Sequence, residues 1–304
     1  MRYSSQVEEA LALAEERYRA HWVGWWRGLR RFVVRKPLGA IGGFIVLGLL
    51  VLAIFAPLIA PYAYDKTNID NALAAPSDSH FFGTDDLGRD VFSRIVYGSR
   101  ITVFVGFGAV AISTFIATSL GVLSGYVGGR LDMLVQRVVD IWMSFPGLIL
   151  LITIISIFEP GLIQVIVAIG ILLAGGPSRV ARSAVLAIKN NQYMEAAKVV
   201  GAGDVRIVRF YVLPNIFAPI MVLATTQLGF AILIEATLSF LGYGVPPPFP
   251  SWGGMLSNEA RTYMLQQPLL SVWPGLAIFL VVYGFNMLGD AVRDVFDPRL
   301  RGAT

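Results

Sequence analysis

The groups in this chain that could do chemistry are few: adjacent carboxylates at Asp85 and Asp86, two histidines, His21 and His80, and isolated acids in apolar runs. Adjacent acids suit general acid–base work only when a further group is poised beside the substrate. None accompanies Asp85 and Asp86, so a structural part in a turn is the better reading. The histidines lie far apart, and each reads more simply as a surface residue than as a metal ligand. Cysteine is absent, which removes disulfides and thiolate metal sites. None of the four lysines, Lys36, Lys66, Lys189 and Lys198, stands in a Gly-x4-Gly-Lys-Ser/Thr phosphate loop. Neither a G-x-S-x-G elbow nor an H-E-x-x-H helix occurs. The chain therefore reads as no enzyme: it has no route of its own to ATP hydrolysis and no residues to hold a metal or cofactor.

The elements around those groups are apolar. Of 304 residues, 56% are hydrophobic and 14% charged, with a mean hydropathy of +0.67. A soluble domain carries about 25% charged residues, so the expected class is an all-α integral membrane protein. Crossing a hydrocarbon core takes about 20 apolar residues. Six runs meet that length: Leu38 to Ala60, Ile101 to Tyr126, Val138 to Phe158 (interrupted at Pro146), Gly161 to Ala181, Asn215 to Leu241, and Val272 to Ala291. The second carries Ala117, Gly121 and Gly125 four apart, a stripe of small residues that admits another helix closely.

Charge sorting sets the orientation. With the N-terminus inside, nineteen of the 24 Lys and Arg fall on inner segments and five on outer ones, which places both termini in the cytoplasm. Residues 1–37 form a separate N-terminal segment. There Trp22, Trp25 and Trp26 precede five cationic residues, a pattern for a helix lying on membrane lipid rather than a nucleic-acid patch. Residues 38–301 hold the spans. The outer segment 62–99 carries six Asp, with Gly83 and Gly88 marking turns and Thr84 or Asp85 placed to cap a short helix.

Charged residues within spans are costly and are candidates for function. Asp140 and Asp290 stand near inner ends, where Arg137 and Arg293 can pair with them. Glu235 stands near the outer end of the fifth span, either lining a mouth or holding the following loop from inside. No chain of buried acids and bases suggests a proton-coupled pump.

The long polar interval of the second half runs from Tyr193 to Asn215, YMEAAKVVGAGDVRIVRFYVLPN. Helix formers lead to Gly201 and Gly203, where a turn belongs. A second helical stretch follows, with Val205, Val208 and Tyr211 on one face, and Pro214 is expected to end it. Glu195, Ala196, Ala197, Gly201, Leu213 and Pro214 resemble the EAA loop of ABC importer permeases. FGTDxxGRD, SFPGLIL and EATLSFLGYG resemble the C-type subunit of the dipeptide/oligopeptide/nickel branch.

The resemblance implies a type I importer permease fold of six helices, with loop 184–214 as the coupling segment seated on an ATPase. Tyr193, Ala202 and Asp204 join the motif residues as docking candidates. It also implies a second, B-type permease as heterodimer partner, two cytoplasmic ABC ATPases that hold ATP and Mg, and an extracytoplasmic solute-binding lipoprotein. A peptide is zwitterionic and needs a wide, mild passage. Thr114, Thr118, Thr225, Thr226, Gln227 and Glu235 are candidates for its lining, with ordinary helix–helix hydrogen bonding as their alternative. Relatives with this pattern also move nickel chelates and oligosaccharides. A secondary transporter or channel acting alone is the reading from another class.

Overall fold

Proline and glycine decide where the apolar runs of this chain break. The computed structural model describes residues 33–34, 36–257 and 259–296. The expected interfacial helix around Trp22, Trp25 and Trp26 lies outside them. Among the described residues the structure is helical, with no strand and one isolated bridge, Thr84 to Asp90.

Helix α1, Pro37–Ile54, stops short of the expected Ala60, and a single turn, α2, Ala56–Ile59, follows it. Pro57 has no N–H to give Ala53, four residues back. The freed Ala53 carbonyl is taken instead by Arg100 Nε at 2.7 Å. Arg100 lies on α3, Val91–Val122. That helix begins ten residues before the expected Ile101, because its first turns are capped and buried by the outer segment rather than by lipid.

The third run is broken as expected at Pro146, but more sharply than a kink. α4, Gly129–Ser144, and α5, Gly147–Phe158, meet at 91°. The fourth run was expected unbroken, yet α6, Leu162–Leu173, and α7, Gly175–Lys189, meet at 47°. Pro177 explains the break as Pro57 explains the first: it leaves the Leu173 carbonyl without its helical partner, and Gln227 Nε2 donates to that oxygen at 3.0 Å.

After the loop, α8, Gln192–Val199, and α9, Asp204–Ile207, lead through a π-turn, Val208–Val212, into α10, Leu213–Phe240. Pro214 was expected to end the second short helix. Instead the π-turn absorbs it, and one helical rod runs from Asp204 to Phe240. α11, Trp252–Ser257, α12, Glu259–Tyr263, and α13, Leu269–Phe296, complete the described chain. Among the described residues four helices are long and apolar enough to cross a membrane, and up to six spans result if each bent pair counts as one.

The small-residue stripe finds its partner in α7. Gly121 lies against Ala181 and Arg182, and Gly125 against Val185. Two ion pairs fix α4 to the same helix: Arg182 reaches both oxygens of Asp132 at 2.6 and 2.5 Å, and Arg179 reaches Asp140 at 2.5 Å. The expected Arg137 partner of Asp140 stands farther off, at 3.8 Å.

The outer segment is a knot of polar bonds. Asp85, 1% exposed, accepts from the backbone of Leu87 and Arg89 at 3.0 and 2.9 Å and from Arg89 Nε at 2.7 Å. Its carboxylate is spent on structure. The cap of α3 is neither Thr84 nor Asp85 but Asp90, which accepts from Ser93 N at 2.8 Å. His80 is not a free surface residue: its Nδ1 lies 2.9 Å from Asp90 Oδ1, with the side chain only 14% exposed. Gly83 and Gly88 take the positive φ expected of turns, 76° and 70°.

Candidate functional site

The loop between α7 and α10 is built on its own small core. Met194 and Ala197, three apart on α8, are buried against Val122, Val185, Ile207 and Ile216. Helix α8 ends in a Schellman arrangement: Gly201 N donates to Lys198 O at 3.0 Å, and Ala202 N donates to Ala197 O at 3.0 Å. Gly201 adopts φ +78°, which costs a side-chain-bearing residue about 1–2 kcal/mol. Beyond this turn Ile207 of α9 joins Met194 and Ala197 of α8 in the same small core.

The motif residues therefore divide. Ala197 and the half-buried Ala202 hold the loop from behind. Tyr193, Glu195, Ala196, Gly201, Asp204, Leu213 and Pro214 are exposed. Around them stand apolar side chains left open to solvent, Val199 at 86%, Val200 at 81% and Val205 at 82%. The front is an apolar surface with a carboxylate at Glu195 and cations at Lys198, Arg206 and Arg209. Such a face suits a protein partner better than lipid, because the charges and valines alternate around one small knob.

The loop is also tied to α3. That helix, too, ends in a π-turn, Leu123–Val127. Tyr126 Oη donates to Asp204 Oδ1 at 2.7 Å, and Lys189 Nζ donates to Gly125 O at 3.3 Å. Beside these ties runs an apolar cleft of about 720 Å³, lined by Phe115, Thr118, Tyr126, Val205, Val208 and Leu213.

The candidate path residues are not gathered on one face. Thr118 borders that cleft, and Thr114 is half-buried on α3. Thr225 donates to Val222 O and Thr226 to Leu223 O, both at 2.9 Å, so these hydroxyls bond within their own helix. Gln227 alone of the set bonds across helices, to Leu173 O and, at 3.3 Å, to Ser113 Oγ. Glu235 is buried at 1% exposure and accepts from Ser239 Oγ at 2.7 Å. Its position is inside the bundle rather than on an open rim.

Tyr126 in the π-turn after α3, Gln136 on α4 and Lys189 at the end of α7 were not picked out from sequence as site residues. The paired Gly128 and Gly129, both with positive φ, were the one local sign that the chain turns there. Among the described residues no group of three His, Asp or Glu could hold a metal ion.

Comparisons with known proteins agree with this geometry. Residues 117–302 match the family described as binding-protein-dependent transport system inner membrane component, and residues 24–76 match the N-terminal TM domain of oligopeptide transport permease C. The chain is 42% identical over 287 residues to a dipeptide transport system permease protein of Alkalihalophilus pseudofirmus, covering 94% of this chain and 93% of that one. It is 39% identical over 277 residues to a glutathione transport system permease protein of Pectobacterium atrosepticum, covering 91% and 92%. A solved inward-facing structure of the MetNI methionine ABC transporter shares the fold at a TM-score of 0.56 and 22% identity, over 67% of this chain and 96% of that one.

Proposed function

As this chain belongs to the binding-protein-dependent transport system inner membrane components, and is a membrane permease subunit of an ABC importer, we propose that it forms half of a path for dipeptides and other short peptides. Each bent pair then counts as one span, giving six, with both termini and loop 184–214 in the cytoplasm. Residues 1–37 form the lipid-seated N-terminal segment and residues 38–301 the permease domain. A B-type permease supplies the other half of the path. Two ATPases bind ATP and Mg and grip the loop through Glu195 and the exposed valines, and a lipoprotein delivers solute from outside. The substrate class rests on the relatives named for dipeptide and for glutathione, itself a tripeptide.

The observation that carries this reading is the loop itself, packed from behind on Met194 and Ala197 and unpartnered in front. Its test is uptake of radiolabelled dialanine into liposomes. The assembled transporter is expected to accumulate the peptide only with ATP inside, with unlabelled glutathione competing. This chain alone is expected to be inert. Uptake by the lone chain would overturn the reading. The side of the loop is tested separately. Because the chain has no cysteine, Lys198→Cys gives a single thiol, and an impermeant maleimide is expected to reach it only from the cytoplasmic face. Labelling from outside would reverse the topology.

A further inference from the structure

Three segments that must move relative to one another meet at five residues. The π-turn Leu123–Val127 receives Lys189, from the front end of the loop, on Gly125 O at 3.3 Å. Through Tyr126 Oη it holds Asp204, at the back end of the loop, at 2.7 Å. Its Ser124 Oγ accepts from Gln136 Nε2 of α4 at 3.4 Å. Gly128 and Gly129, at φ +76° and +59°, release the chain from the turn into α4. The second π-turn, Val208–Val212, follows the loop directly, and residues of both turns line the same cleft.

A π-turn carries one residue more than the α-helical ladder accommodates and often marks a functional site. It is a place where a helix can shift register while the rest of the rod stays intact. We propose that the π-turn Leu123–Val127 is the fulcrum on which the coupling loop turns, and that Tyr126 and Lys189 are positioning residues tying the loop's two ends to it. Displacement of α8 by an ATPase is then passed through these two bonds to α3 and, by way of Gln136, to α4. The idea rests on the loop's being the coupling segment.

The test uses the transporter assembled in liposomes with its partner permease, ATPases and binding protein, and reads dialanine imported per ATP hydrolysed. Tyr126→Phe removes one hydroxyl and keeps the ring in the cleft. It is expected to lower that ratio about fivefold, the lower end of typical coupling between sites. Asp204→Leu breaks the same bond from the other side, and the double variant is expected to be no worse than the poorer single one. A purely structural part would lower both rates together and leave the ratio unchanged. An unchanged ratio, or additive effects, overturns the fulcrum. Glu195→Lys in the same assay separates the two ideas. If it leaves uptake intact, the coupling loop itself is misassigned. If it uncouples while Tyr126→Phe does not, the fulcrum alone fails.

Discussion

Replacing Gly121 with leucine is expected to remove most of the folded protein from the membrane. A β-carbon at this position stands 2.5 Å from the Ala181 β-carbon, 2.8 Å from Arg182 N and 2.9 Å from Ser178 O. Two of those three neighbours are backbone atoms, so no rotamer change relieves the clash. The helices α3 and α7 must separate by more than a methyl group. Separation strains the two ion pairs that join α4 to α7, at Arg182 and Arg179, and lifts Val185 from the small core that holds the loop. Overpacking in a close-packed interior typically costs 1–3 kcal/mol. Here the lost contacts add to that cost, against a total stability of only about 5–15 kcal/mol. Gly48 is the control, because nothing lies within 4 Å of a β-carbon placed there. Gly48→Leu is expected to give normal yield in a fluorescence size-exclusion profile, while Gly121→Leu gives an aggregated or absent peak. Equal monodisperse peaks would show that α3 and α7 are not tightly joined.

Much of this architecture was legible because membrane folding obeys a strong local constraint. Every backbone polar group in lipid must be satisfied, so long apolar runs announce helices, and the six runs were found where the helices are. Prolines were visible too, but their consequences were not. Pro57 and Pro177 each free a carbonyl, and what becomes of it depends on residues far along the chain, Arg100 and Gln227. Pro214 was taken to stop a helix, yet the chain slips one residue into a π-turn and continues. Val212 of that turn is buried in one core with Val122 and Val185, residues far along the chain. In the outer segment the sequence located the turns at Gly83 and Gly88. Asp90 caps locally, accepting from Ser93 N three residues on, but its other oxygen is held by His80, ten residues back, and no local pattern records that bond. For the site, the loop's rear and front were not separable by motif alone. Ala196 and Ala197 are adjacent letters of one pattern, and only the second is buried.

Charge reversal at Glu195 is expected to stop uptake while leaving the subunit in the membrane. Glu195 sits in the first turn of α8, exposed, and among the described residues its carboxylate makes no ion pair or side-chain hydrogen bond. Its loss therefore takes nothing from the fold beyond a favourable interaction with the helix N-terminus, worth about 0.3–1 kcal/mol. Transport is another matter. If the carboxylate meets a cation on the ATPase, lysine puts two like charges together in a closing interface, and such juxtaposition costs several kcal/mol. A loss of only 1.4 kcal/mol in the affinity of the closed state is tenfold, so a fall in uptake of at least about tenfold is expected. ATP hydrolysis no longer stimulated by loaded binding protein should accompany it. Gly201→Val acts on the same surface by a different route. Nothing lies within 4 Å of its β-carbon, so the substitution meets no clash. It meets the φ of +78°, and a β-branched residue there forces the turn open. The Schellman bonds at Lys198 and Ala197 break, and Val199 and Val200 leave their positions on the front face. Two variants that differ in chemistry, one electrostatic and one conformational, are thus expected to share one phenotype: normal abundance, ATPase detached from uptake. Wild-type dialanine accumulation in both would mean that no partner rests on this face.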